Sequence, residues 1–175
     1  MDETLKNRVK AHWESEVCGT RNLADDVDRY ERNRAAFEPF IAEFADYGAY
    51  AGRRVLEIGI GGGADYTKFA LAGADIQGID LTEAAVAYVR ERLARMGRSG
   101  TLRTADAENL PFADGSFDLV YSYGVLHHSP DTERALAEAY RVLKPGGELK
   151  VMVYSDFSMT GVMLCWVETS RPGFP

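Results

Sequence analysis

Apolar residues alternate along the middle of the chain between short continuous runs and segments with a helical period. The short runs are rich in Val, Ile and Leu, which is typical of buried strands. They predict five strands: Arg53–Ile58, Asp75–Ile79, Thr101–Ala105, Phe117–Ser122 and Glu148–Val153.

Two helices are predicted between the early strands. The first covers Ala64–Ala72 and ends at Gly73. Thr82 can cap the second, because a threonine oxygen can accept a backbone N–H at a helix start. Its buried side is predicted to contain Val86, Val89, Leu93 and Met96.

A third helix is predicted before the last strand. Ser129 is predicted to be its N-cap, Pro130 its first helical residue and Asp131 an acid in its first turn. The helix would run to Leu143 and stop at Lys144-Pro-Gly-Gly147. Its inward side chains would be Leu136, Tyr140 and Leu143.

Helices are also predicted at both ends of the chain. Lys6–Val17 forms a short one and Val27–Phe44 a longer one, although Pro39 conflicts with a continuous helix. An apolar stripe in the longer helix predicts core packing by Phe37, Phe40, Ile41 and Phe44. Met159–Trp166 predicts a last helix, followed by a loose tail over Ser170–Pro175.

Alternation of strands and helices predicts a doubly wound α/β fold with a mostly parallel sheet, since β-α-β crossovers are right-handed. We expect a single domain with three parts. These are an N-terminal helical segment over 1–50, an α/β core over 51–154, and a helix and tail over 155–175.

Composition narrows the classes of function. The chain has 175 residues, 46% of them apolar, and a net charge of −7, which gives no general attraction to nucleic acid or anionic membranes. Five arginines between Arg90 and Arg103 are expected to form a solvated helix face. Cys18 and Cys165 lack metal-ligand spacing, so we expect no metal site, reduced thiols and a cytoplasmic protein without a signal peptide or membrane span.

The chemistry is concentrated around a glycine turn after the first strand. Val55–Gly63 places a strand, Glu57 and four glycines in succession, and glycine lets a ligand approach the backbone closely. Asp80 follows Gly59 by 21 residues at the end of the second strand, where a carboxylate can accept ribose hydroxyls. This pattern predicts a nucleotide or nucleoside cofactor.

Two further acids favour a nucleoside over a dinucleotide. Glu57 would repel a pyrophosphate but suits a cationic ammonium group or a water network. Asp106, at the end of the third strand, can accept from an adenine amino group. A nicotinamide oxidoreductase is the alternative, but no Tyr-x-x-x-Lys pair follows the fourth strand.

Taken together, the motifs resemble those of the class I S-adenosylmethionine-dependent methyltransferases, in the small-molecule branch that includes ubiquinone and menaquinone C-methyltransferases. The resemblance extends from Arg53 to about Val153. It rests on Val55–Gly63, Gly78-Ile-Asp-Leu81, Asp106-Ala-Glu-Asn-Leu-Pro-Phe112, Ser116-Phe-Asp-Leu-Val120, Val125-Leu-His-His128 and Arg141-Val-Leu-Lys-Pro-Gly-Gly147.

The resemblance implies S-adenosylmethionine as cofactor, a small-molecule methyl acceptor and the strand order 3-2-1-4-5. Glu57 and the turn containing Gly59, Gly61 and Gly63 would hold the methionyl end. Asp80 would bind the ribose hydroxyls, and Leu81 would pack on the adenine. Asp106 and the Ala107 backbone would contact the adenine edge.

Other implied positions surround the transferred methyl group. Ser122 to Val125 would line the space near it, and the N-terminal helices would form a lid from which Tyr30 and Arg34 face the cofactor. His127 and His128 are candidate bases, because histidine titrates near neutral pH, and only one of two adjacent side chains is expected to enter the cleft. A structural role for both remains open.

The chain departs from the family pattern after the fifth strand. Family sheets have seven strands, and here the last two are absent from the pattern, so we expect a C-terminally short member. A non-catalytic cofactor-binding module is therefore an alternative to an enzyme. The open edge of the fifth strand could also support a homodimer. The sequence identifies neither the acceptor nor the methylated atom.

Overall fold

Five parallel strands form the centre of the molecule in a computed structural model, which describes residues 3–15, 17, 34 and 36–154. The sheet order is β3-β2-β1-β4-β5, so the predicted fold class and strand order are confirmed. The strands are β1 (Arg54–Ile58), β2 (Asp75–Asp80), β3 (Thr101–Thr104), β4 (Phe117–Tyr123) and β5 (Leu143–Met152).

Helices cover both faces of this sheet. The α-helices are α1 (Glu3–Ser15), α2 (Ile41–Ala45), α3 (Ala64–Leu71), α4 (Glu83–Arg95) and α5 (Thr132–Arg141), with short 3₁₀ helices at Tyr47–Tyr50 and Leu126–His128. Among residues 3–15, 17, 34 and 36–154, no helix is long and apolar enough to cross a membrane.

The core consists of two apolar layers, one on each face of the sheet. Val55 points into the layer that contains Phe69 of α3 and Val89 of α4. Leu56 points the other way, into the layer that contains Ala139 of α5. Because side chains alternate along a strand, a strand buried on both faces has the continuous apolar run seen in the sequence.

Helix α4 begins as predicted but buries a different set of residues. The Thr82 hydroxyl accepts the Ala85 N–H, which confirms the cap. Met96 lies beyond the helix end and is 43% exposed, so its predicted burial is wrong. Arg92 is buried, and its guanidinium donates to the Gly62 carbonyl at 2.9 Å. The expectation of a fully solvated arginine face is therefore also wrong.

Helix α5 packs with another face than the apolar pattern predicts. Its buried residues are Ala135, Glu138 and Ala139, whereas Leu136 and Tyr140 are exposed. The two alanines pack against the core layer, and Glu138 is satisfied by the Leu110 N–H and by Arg141. The predicted inward positions of Leu136 and Tyr140 are therefore wrong, whereas Leu143, which lies beyond the helix end, packs against the core layer.

The ends of α5 also differ from the prediction. Asp131, not Ser129, is the N-cap, and its carboxylate accepts the Arg134 N–H. The helix ends at Arg141, and β5 begins at Leu143, with the Lys144–Gly147 segment inside the strand. The pairing of β4 with β5 has an irregular register there, between Phe117 and Leu119, which accommodates Pro145.

The N-terminal region is divided at Pro39. Residues 34, 36 and 37 are helical, the chain turns at 39–40, and α2 starts at Ile41. Ile41 is buried, but Phe37 is 85% and Phe40 is 54% exposed, so the predicted apolar stripe is wrong for these two residues. A proline prevents one continuous helical face from forming.

Several sequence-based expectations lie outside the described residues. They concern Tyr30, the two cysteines, most of the predicted 27–44 helix, the Met159–Trp166 helix and the tail over Ser170–Pro175.

Candidate functional site

A cavity of about 430 Å³ lies at the carboxyl ends of β1, β2, β3 and β4. In parallel α/β sheets this end, near the point where strand order reverses, is where ligands bind. Backbone and side chains of residues 57–62, 79–82, 105–108 and 123–126 form its lining, and α1 and residues 34, 37 and 38 add to it.

The turn after β1 depends on glycine at two positions for different reasons. Gly59 has φ +80°, and a Cβ there would lie 2.3 Å from the Val125 side chain. Gly63 has φ +74°, and a Cβ there would lie 2.8 Å from Val89 of α4. Gly59 and Gly61 line the cavity, whereas Gly63 lies behind it. Gly63 therefore supports helix packing rather than the cavity surface.

Asp80 connects this turn to the start of α4. One carboxylate oxygen accepts the Gly61 N–H at 3.1 Å, and the other accepts the Thr82 N–H and hydroxyl at 3.0 and 2.8 Å. Asp80 and its neighbour Leu81 both line the cavity. The carboxylate is therefore held in a fixed orientation at the cavity wall.

Glu57 is an incompletely satisfied buried acid. It is 4% exposed and lines the cavity, and its Oε2 has no hydrogen-bond partner in the described part of the chain. Burial first, and then the charge of Asp65, raise the pKa of Glu57 well above its ordinary value, against the opposing effect of Arg34. A buried carboxylate of this kind would be stabilised by a cationic ligand group.

Asp106 and Glu108 form the opposite polar wall together with a lysine from α1. Lys6 Nζ lies 2.7 Å from Asp106 and 2.5 Å from Glu108. Glu108 also accepts the Ser129 hydroxyl and the Asp131 N–H. Ala107 lies between them in the lining. Glu108 thus joins α1, the loop after β3 and the loop before α5.

Arg34 reaches the cavity from the N-terminal region. Its guanidinium makes two hydrogen bonds to Asp65, of 2.7 and 2.6 Å, and its Cζ lies 5.2 Å from the ring centre of Tyr123. Tyr47 and Tyr121 also donate to Asp65. The structure therefore places Arg34 in the cavity wall, held there by a buried acid.

The two adjacent histidines differ in position. His128 lines the cavity, with its ring 5.5 Å from that of Trp13. His127 lies outside the lining, packs on Tyr154, and has no hydrogen-bond partner for either ring nitrogen among the described residues. Desolvation, followed by the charges of His127 and His12, lowers the pKa of His128 to about 4.

Ser122 does not match its expected placement near the reacting group. Its side chain is fully buried, and its hydroxyl donates to the Ile58 carbonyl at 3.1 Å. It joins β4 to β1, which are neighbours in the sheet, whereas Tyr123 to Val125 line the cavity.

Four contributors to the cavity went unrecognised in the sequence. Asp65 had a usable signal, since it lies in the first turn of the helix after the glycines, and Glu108 lies inside a recognised motif. Lys6 and Trp13 had none, because their partners lie about a hundred residues away in the chain.

The chain resembles known proteins over the same region. The family model described as "Methyltransferase domain" matches residues 56–151. Phthiotriol/phenolphthiotriol dimycocerosates methyltransferase 1 of Mycobacterium ulcerans is 39% identical over 127 residues, which cover 71% of this chain and 45% of that protein. The chain thus spans about half the length of this curated relative.

The fold is also similar to those of solved structures. A putative methyltransferase from Bacillus halodurans has a TM-score of 0.64 and 31% identity, covering 75% of this chain and 59% of that chain. The 4+2 cyclase SpnF has a TM-score of 0.63 and 26% identity, covering 74% of this chain and 50% of that chain. Since the family model matches more than half of the residues, in the part that forms the sheet and the cavity, this chain belongs to the methyltransferase domain family.

Proposed function

We propose that this chain binds S-adenosylmethionine and transfers its methyl group to a small-molecule acceptor. The observation that carries the proposal is Glu57, a buried carboxylate with one unpartnered oxygen that lines the same cavity as Asp80 and Asp106. Three separated acids around a glycine turn match the chemistry of this cofactor, whose ammonium, ribose hydroxyls and adenine amino group are all donors.

The residues present fit the cofactor. Glu57 would hold the ammonium group, Asp80 the ribose hydroxyls and Asp106 the adenine amino group, while Leu81 and Ala107 would pack near the adenine. When bound, S-adenosylmethionine supplies an activated methyl group on a sulfonium. The chain's own contribution is to orient the acceptor and exclude water, and orientation of this kind can supply roughly 7–11 kcal/mol.

Two finer assignments are also proposals. Membership of the ubiquinone and menaquinone branch is supported by the order of the motifs. A cytoplasmic location is supported by the low cysteine content of two residues. The named relatives support the reaction class. A non-catalytic binding module is the second candidate, and a transfer assay separates it from an enzyme.

Calorimetry and a transfer assay test this proposal in two steps. We expect heat of binding with S-adenosylhomocysteine and none with NAD. Incubation with methyl-labelled S-adenosylmethionine and a metabolite panel should then yield a labelled product. Absence of binding by the sulfur nucleoside would contradict the proposal, and binding without any labelled product would favour the non-catalytic module.

Replacing Glu57 by glutamine should stabilise the unliganded chain and weaken cofactor binding. Folding raises the pKa of Glu57 above its ordinary value of 4.5, so the folded state favours the protonated acid. The free energy of unfolding should therefore fall as the pH rises above 4.5. Glutamine cannot ionise and removes this loss. We expect the free energy of unfolding of the variant to exceed that of the parent chain by about 1 kcal/mol near pH 8, and this difference to disappear toward pH 4.5. Urea denaturation across that pH range measures it. Parallel stability profiles for the two proteins would contradict the buried-charge explanation.

Replacing His128 by asparagine should lower kcat for the labelled acceptor by about 10²–10⁴ if His128 accepts a proton. Its lowered pKa leaves the imidazole neutral, with a free lone pair, across the neutral range. His127→Asn is the matched control, because His127 lies outside the cavity lining. Equal losses in both variants would argue for a structural role for the pair.

A further inference from the structure

Phe37 has an exposure that folding does not explain. It lines the cavity from the N-terminal region and is 85% exposed. Phe40, three residues later, is also exposed at 54% but lies outside the lining. When a ligand covers a large apolar side chain and removes it from water, the burial contributes favourably to the free energy of binding.

Four aromatic side chains line the cavity and form what we call the aromatic wall: Trp13, Phe37, Tyr123 and Tyr154. Trp13 lies beside His128, whose ring is 6.4 Å from that of Tyr154. Tyr154 reaches the backbone at Gly124, where an added Cβ would lie 3.2 Å from its hydroxyl. Two members of the aromatic wall, Trp13 and Tyr154, thus lie next to His128.

The charged part of the lining has the wrong sign for an anionic acceptor. Counted over the residues that the structure describes, the lining has six carboxylates and two cations. Both cations are in ion pairs, Lys6 with Asp106 and Glu108, and Arg34 with Asp65. Binding of one cationic cofactor would still leave an excess of negative charge in the lining. An anionic acceptor would be repelled by these carboxylates.

We infer that the methyl acceptor is an uncharged, largely apolar molecule that packs on the aromatic wall, and that carboxylate and phosphate compounds are excluded. The inference rests on the proposed function and deepens it by naming the acceptor's class. An amine is disfavoured because the three described lining acids outside the cofactor positions already have a cationic partner: Arg34 for Glu38 and Asp65, and Lys6 for Glu108.

Three probes with the same para-pentylphenyl body and head groups of different charge test this inference. We would titrate para-pentylphenol, para-pentylbenzoate and para-pentylbenzylamine into the full chain, with and without S-adenosylhomocysteine, and follow binding by calorimetry or saturation-transfer NMR. We expect the phenol to bind more than about tenfold more tightly than the benzoate, and more tightly than the amine. Equal or tighter binding of either charged probe, or no binding of the phenol, would overturn the inference.

A matched pair of variants locates the binding surface. Phe37→Ser should weaken phenol binding by about five- to tenfold, because the buried ring contact is lost. Phe40→Ser removes a ring that is also exposed, at 54%, but lies outside the lining, and it should leave the affinity for the phenol and for S-adenosylhomocysteine unchanged. Equal phenol affinity in both variants would overturn the assignment of Phe37 to the acceptor.

The two proposals fail separately. Loss of S-adenosylhomocysteine binding in the parent chain would contradict the proposed function. The probe series without the cofactor still tests the aromatic wall, because it measures binding to those side chains alone.

Discussion

Replacing Asp80 by alanine is expected to weaken binding of S-adenosylhomocysteine by more than about tenfold, since ribose hydroxyls would lose a charged acceptor. The structure adds a second reason. The same carboxylate accepts the Gly61 N–H on one side and both donors of Thr82 on the other. Removing it therefore also loosens the glycine turn against the start of α4. Calorimetric titration measures the change in Kd.

Two variants separate these reasons. Asp80→Asn keeps one acceptor oxygen and the side-chain shape, so it should lose affinity but less than the alanine variant does. Asp75→Ala removes a 66% exposed carboxylate from the other end of the same strand and should leave Kd unchanged. An unchanged Kd for Asp80→Ala would show that the cofactor position is wrong.

Replacing Gly59 by alanine is expected to destabilise the fold by about 2–5 kcal/mol. The backbone there has φ +80°, a conformation that costs an L-residue about 1–2 kcal/mol. The new methyl would also lie 2.3–2.8 Å from three atoms of the Val125 side chain, and overpacking adds about 1–3 kcal/mol. Urea denaturation gives the free energy of unfolding.

Gly52 provides the control for backbone strain alone. It has φ +72°, and an added Cβ there meets nothing within 4 Å, so Gly52→Ala should show only the smaller cost. Combining Gly59→Ala with Val125→Ala should recover the packing part of the loss. If Gly59→Ala were no worse than Gly52→Ala, the contact with Val125 would not be the cause.

The sheet and the acids at its edge were predictable from the sequence. Buried parallel strands leave continuous apolar runs, and their carboxyl ends meet at one edge of the sheet. Positions at strand ends, such as Asp80 and Asp106, therefore meet regardless of how the surrounding helices pack. That is why the gathering of these two residues at the cavity followed from local patterns, whereas the strand order came from the resemblance of the motifs to a known family.

Helix orientation was not predictable in the same way. The apolar pattern of α5 favours an inward Leu136 and Tyr140, yet small alanines and a hydrogen-bonded Glu138 face the core. Arg92 likewise belongs to a basic cluster in the sequence but is buried where it meets the Gly62 carbonyl. Which side of a helix is buried therefore depends on packing and hydrogen-bond partners that come close only in the folded chain.

The ion pair between Lys6 and Glu108 bears on where the folding unit begins. The family model starts at residue 56, but the Glu108 side chain is 1% exposed and takes its cation from α1. A truncated protein starting at the first strand would retain every matched residue and still leave an acid stranded in the interior without a counterion, an arrangement that typically costs several kcal/mol. The region matched by the family model is therefore shorter than the region needed for a stable fold. Protein expressed for binding experiments should keep α1.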